Sequence, residues 1–220
     1  MTRGRYQPGF ASPPCSLHEL DPEFARGLSV EDQTASDVAR WRKGERKRLI
    51  DTRMAVPVGH RTQASQRIHD RLSHEIGPVE QHIIGIYWPF RGEPDLREWG
   101  KQAISRGARL ALPVVVEKAH PLIFRSWAPG EKLEKGVWNI PVPSAGEAVV
   151  PSVVIAPLVG FDAAGFRLGY GGGYYDRTLA SLPAKPLTIG VGFGFSALET
   201  IFPQWHDIPM DRLIIEDIQY

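Results

Sequence analysis

The chain has 220 residues, with 26 lysines and arginines against 25 aspartates and glutamates, and one cysteine, Cys15. A net charge of +1 gives no whole-chain attraction for nucleic acid or a membrane surface, and a lone thiol excludes an intrachain disulfide or a thiolate metal cluster. No apolar run approaches the roughly 20 residues of a membrane span, and no apolar segment follows the early arginines to make a secretion signal; a cytoplasmic monomer is expected.

In chain order, residues 1–35 carry Pro8, Pro13, Pro14 and Pro22 with few large aliphatics, and so bury too little surface to offset their ordering entropy. They read as a disordered or loosely docked extension, with one domain over residues 36–220. Ser36 is placed to cap a helix running to about Val56 and stopped by Pro57. Arg40, Arg42, Lys43, Arg46, Lys47, Arg48 and Arg53 make it strongly basic, which taken alone suggests a solvated charged face. Ala64, Ile68, Leu72 and Ile76 recur every fourth residue and predict one apolar stripe of a second helix.

Residues 82–88 read as a buried strand ended by Pro89. Asp95 with Glu98 resembles a capping pair opening a helix to about Arg106. Further strands are expected over 110–116, where Pro113 suggests an irregularity or an edge, and over 122–127, 152–159, 187–193 and 212–215. Residues 128–146, rich in proline and glycine, break the alternation as a hairpin-like excursion. Apolar strands alternating with helices indicate a three-layer α/β architecture with a mainly parallel central sheet.

The densest chemical signal is the run from Gly160 to Arg177, between a buried strand and a helix ending near Leu182. Gly169, Gly171, Gly172 and Gly173 let backbone N–H groups approach a phosphate, and the following helix N-terminus favours negative charge. Arg167 suits phosphate oxygens and Asp176 a magnesium ion. A glycine-rich turn with structural tyrosines is the plainer alternative; an arginine and an aspartate at its two ends favour phosphate. No P-loop string occurs. Gly192, Gly194 and Ala197 fit dinucleotide spacing, but the prolines that follow forbid the long helix that fingerprint needs.

The string RLGYGGGYYDR (167–177), after a strand ending in PLVGFD (157–162), resembles the signature of the 5-formyltetrahydrofolate cyclo-ligase family. The likeness runs from about Ser36 to the C-terminus and takes in the basic first helix, a glutamate after the first strand, Trp138-Asn139-Ile140-Pro141, the glycine-rich loop and a late aspartate. It implies an α/β fold related to the sugar-phosphate isomerase and CoA-transferase-like group, with ATP as co-substrate and Mg2+ as cofactor. Arg42, Lys43 and Arg46 then correspond to the ATP-contacting element of the basic helix, with Arg42 standing where the family usually has lysine. Arg167, Leu168, Gly169, Tyr170, Gly171, Gly172, Gly173, Tyr174 and Tyr175 match the ATP and substrate loop; Gly172 stands where some members carry a lysine.

By the same resemblance Glu93 binds the pterin, whose adjacent N–H donors one carboxylate accepts side by side. Trp88, Trp138 and Tyr174 fall to the folate, Arg167 and Tyr174 to catalysis, and Asp176 and Asp207 to magnesium. His206, beside Asp207, is expected to cap or pack. The implied reaction is ATP-dependent closure of 5-formyltetrahydrofolate to 5,10-methenyltetrahydrofolate, on a substrate with or without a polyglutamate tail. Two rivals remain: another ATP- or sugar-phosphate-using enzyme built on the same loop, and a non-catalytic folate- or nucleotide-binding relative.

Overall fold

The structure, a computed structural model, describes residues 30–217, with side chains from residue 34. Most of the extension expected over residues 1–35 lies outside the described residues. The first helix, α1 (Val30–Ala55), runs straight through Ser36, so Ser36 is not its cap and the boundary drawn at residue 35 falls inside a helix. Residues 30–35 contain neither glycine nor proline, and nothing local interrupts the helix there. Pro57 separates it from α2 (Val58–Ile76), whose Ala64, Ile68 and Leu72 are buried as the four-residue spacing predicts.

The core is a seven-stranded sheet in the order β11-β10-β7-β1-β2-β3-β6. Its strands are β1 (Ile83–Gly85), β2 (Arg109–Val114), β3 (Ile123–Trp127), β6 (Ala148–Val149), β7 (Val153–Pro157), β10 (Leu187–Phe193) and β11 (Arg212–Glu216). The five strands from β11 to β2 pair in parallel, and β3 and β6 continue antiparallel. Residues of opposite pleat feed opposite layers. Ile84, Leu110, Leu112, Ile155 and Ile189 meet α2 and the Trp99 side of α3 (Arg97–Ser105) on one face. Ala111, Phe124 and Val154 meet Tyr175 and Leu179 of α4 (Tyr174–Ser181) on the other. The three layers expected are present.

Several boundaries differ from the sequence reading for local reasons. The first strand is short, and residues 86–93 leave the sheet to wall a cavity. Asp95 does act near a helix start, accepting from the Arg97 N–H, but Glu98 pairs with Lys101 instead of reaching back. Pro113 sits inside the sheet, not at an edge. Arg109 N bonds His82 O and Ile86 N bonds Ala111 O, so residue 113, of the same parity, faces β1 beyond its end and no ladder bond is lost. The excursion is a hairpin of β4 (Leu133–Lys135) and β5 (Pro141–Pro143). After β10 comes a 3-10 turn, Gly194–Ser196, and no long helix.

At the β11 margin, Arg67 and Arg71 of α2 both pair with Glu216, and they donate to the carbonyls of Asp217 and Ile215. Among the described residues no helix is long and apolar enough to cross a membrane.

Candidate active site

The strand order reverses between β1 and β7: β1 crosses through α3 to β2 on one side, and β7 through α4 to β10 on the other. Ligands of open parallel sheets bind in the crevice at the carboxyl ends of strands at such a switch point. A cavity of about 590 Å³ lies there, walled by Tyr87 and Trp88 after β1, Pro113 of β2 and Pro157 of β7. That volume is in the range of small-molecule sites.

One end of the cavity is charged. The antiparallel pair β8 (Gly160–Phe161) and β9 (Arg167–Leu168) brings Arg167 under α4, where it meets Asp176 with two bonds of 3.1 Å. Asp162 sets this local turn by accepting from Ala164 N, Phe166 N and Ile201 N. Gly173, at φ 63° in the left-handed region, opens α4 with no side-chain cap, and the first-turn residues Gly173 to Asp176 belong to the cavity lining. An uncapped N-terminus of this kind suits an anion.

Helix α1 supplies the remaining cations, through a buried face spaced 42, 46, 49 and 53. Arg42 Nη2 pairs with Asp207 at 2.5 Å, and Arg42 also donates to the carbonyls of Ile201 and Phe202. Burial opposes the charge of Asp207, but bonds from Arg42 and Gln204 N with Arg42's charge hold its carboxyl below its ordinary range. Arg46 donates through Nε to Gly169 O at 2.7 Å; its two terminal nitrogens make no hydrogen bond with the described residues. Burial, then the neighbouring Arg42, lowers its pKa despite Asp207. Lys43 does not join them. One position round the helix from Arg42 it is exposed and outside the cavity lining.

The other end is aromatic with one buried acid. A tight turn at Arg91 (φ 46°) and Gly92 (φ 74°) presents Glu93, which is 6% exposed. Glu93 Oε2 accepts from Phe90 N at 2.8 Å, while Oε1 is buried with no partner among the described residues. Burial pushes this carboxyl up to about 7, against the lowering effect of Arg53 and the Phe90 N–H. Trp88 packs edge-on to Trp127 at 5.9 Å, and Trp138 meets Tyr174 at 6.1 Å. Trp138 and Asn139 both have positive φ, 57° and 58°. A large residue rarely holds that conformation, and here it turns the hairpin tip so that Trp138 closes one side of the cavity. Tyr174 lies over Gly172, where a Cβ would stand 2.7 Å from its ring.

The sequence reading thus finds Trp88, Glu93, Trp138, Arg42, Arg46, Asp207 and the 167–176 run at one cavity. It missed Arg53, which is 3% exposed and donates to Arg91 O, Leu158 O and the Tyr170 hydroxyl. The spacing of Arg53 from Arg42 and Arg46 was the available signal. His206 is half exposed, 4.0 Å from Asp207, and stacks edge-on with Trp205.

Fold and site together define an α/β ligand-binding protein whose cavity lining combines cationic, anion-suited residues with aromatic side chains and a buried carboxylate. Residues 38–216 match the pattern of the 5-formyltetrahydrofolate cyclo-ligase family, and the chain belongs to that family. The 5-formyltetrahydrofolate cyclo-ligase of Escherichia coli strain K12 is 30% identical over 173 residues, covering 74% of this chain and 93% of that relative. The enzyme of that description from Mycolicibacterium smegmatis is 29% identical over 180 residues, covering 77% and 90%. The solved 5,10-methenyltetrahydrofolate synthetase of Aquifex aeolicus superposes with a TM-score of 0.68 at 28% identity, over 79% of this chain and 89% of that one. The Mycoplasma pneumoniae synthetase, at 22% identity and a TM-score of 0.64 over 79% of this chain and 97% of that one, shares the fold.

Proposed function

We propose that the protein converts 5-formyltetrahydrofolate to 5,10-methenyltetrahydrofolate with ATP hydrolysed to ADP and phosphate. The observation that carries this reading is that one cavity is lined both by Arg46, Arg167 and the α4 N-terminus and by Glu93 with its open oxygen. The first set suits a triphosphate, the second the N–H edge of a pterin, and family membership supplies the reaction that joins them.

In this reading the N5-formyl oxygen attacks the γ-phosphorus, the bond to the β-phosphate oxygen breaks, and ADP leaves from an N5-iminium phosphate. N10 of the same folate then attacks the activated carbon, phosphate departs and the N10 proton is lost. Both partners of ring closure lie in one molecule, so holding a near-attack geometry is the main task. Arg46 and Arg167 neutralise charge on the transferring group. Glu93 and Trp138 fix the folate, and Tyr174 lies between Trp138 and the loop.

Asp176 and Asp207 fit magnesium in a restricted way. Each is engaged by an arginine, and among the described residues no cluster of three or more acids or histidines exists. Carboxylate oxygens keep further lone pairs, and magnesium is commonly held by one or two carboxylates plus substrate phosphates. The pair therefore suits a metal that arrives with the nucleotide, where it would neutralise phosphate charge.

The test is turnover by purified protein given 5-formyltetrahydrofolate, ATP and magnesium. The expected result is the methenyl chromophore with ADP and phosphate in matching amounts, and no signal without ATP. A protein that binds ATP yet forms no methenyl product would instead be a different phosphate-using enzyme.

A further inference from the structure

Besides Glu93 Oε1, a second buried polar atom without a partner among the described residues belongs to a residue of the cavity lining, the hydroxyl of Tyr175. Buried polar groups in native proteins are nearly always bonded, and each exception calls for an explanation. These two do not bond each other, although both belong to residues lining the same cavity. One is an acceptor only, the other a hydroxyl able to donate.

Both are held in place. The Tyr175 ring packs against Ala111, Phe124 and Val154, and the Arg167 guanidinium lies over it, 5.4 Å from the ring centre. Glu93 is fixed by its bond from Phe90 N. A phenol is ordinarily protonated near neutral pH, so this hydroxyl is available as a donor.

We propose that Tyr175 is a specificity-determining residue for the folate: its hydroxyl donates to the pterin C4 carbonyl while Glu93 accepts from the adjacent N3–H. The inference rests on the pterin reading of the cavity. A lactam edge offers a donor and an acceptor side by side, the complement of this pair, and binding it satisfies both orphaned atoms at once. Tyr175, which the family resemblance groups with the ATP loop, then serves the folate through its hydroxyl while its ring supports Arg167.

The experiment is Tyr175→Phe, which keeps the ring and its packing, with binding measured calorimetrically in the absence of nucleotide. Affinity for 5-formyltetrahydrofolate and for pterin should fall about tenfold, the effect of one lost hydrogen bond in a closed site. Affinity for 2-aminopteridine, which lacks the 4-oxygen, should be the same in both proteins, and ATP affinity should not move. An equal loss for both pteridines, no loss for either, or a loss confined to ATP overturns the assignment while leaving the pterin reading standing. A wild-type protein that binds ATP but neither 5-formyltetrahydrofolate nor pterin overturns both.

Discussion

Helices α1 and α2 are consecutive, yet they bury different sets of side chains. α2 turns Ala64, Ile68 and Leu72 into the main core. α1 buries Arg42 and Arg53 alongside Val38 and Leu49, and threads those arginines into the loops at the carboxyl ends of the strands. An apolar stripe can pack on any surface of matching shape. A buried guanidinium has five donors with fixed directions, so it specifies which carbonyl must stand where. The difference is that α2 holds the sheet together and α1 holds the site together.

Separating those roles gives the largest expected effects. Ile68→Ala should lower unfolding free energy by about 2–5 kcal/mol in urea titration, while turnover below the melting range stays near wild type. Arg46→Ala should do the reverse, with turnover falling roughly 10²–10³-fold through lost phosphoryl stabilisation and little change in the denaturation midpoint. An Arg46 variant that unfolds like the Ile68 variant would break the distinction.

Arg53→Met tests the middle ground. It leaves the acceptors Arg91 O, Leu158 O and Tyr170 Oη without their donor, and should cost about 1–3 kcal/mol of stability. Because the charge of Arg53 lowers the pKa of Glu93, the same variant should shift the pH midpoint of folate binding upward. A shift downward would place Arg53 outside the site's electrostatics.

The smallest effect concerns Glu93 itself. Its carboxyl is raised from 4.5 to about 7 in the folded chain. Between those values the folded state holds a proton that the unfolded state has released, so stability falls as pH rises through that window. Binding of the pterin N–H edge needs the ionised form, so folate affinity measured by titration should be about tenfold weaker at pH 6 than at pH 8. Glu93→Gln should flatten both dependences.

The parts of this molecule that obey a period were legible in its sequence. Ile68 and Leu72 announce α2, and the apolar run 187–193 coincides with β10. The glycine-rich loop was legible because glycine, arginine and aspartate have narrow chemical uses. Arg53 was not, because a basic helix is ordinarily a solvated one, and only the position of the loops decides that this face is inside. Lys43 faces outward beside Arg42 because adjacency in sequence is a turn of 100° on a helix. Ser36 was read as a cap because capping residues are recognised by type, while a helix that begins further upstream simply runs through them. Tyr175 stood in plain view within the loop, but which way its hydroxyl lies depends on Ala111, Phe124 and Val154, from distant strands.

The β11 margin carries a different consequence. A parallel sheet ending in an open strand offers its unpaired backbone to any second copy, and that is how edge strands seed aggregation. Here Arg67 and Arg71 occupy the Asp217 and Ile215 carbonyls and bracket Glu216. A strand arriving from solution at this margin meets charge and two acceptors already taken, so the second helix guards the end of the β11 edge, and replacing both arginines with alanine would remove that guard.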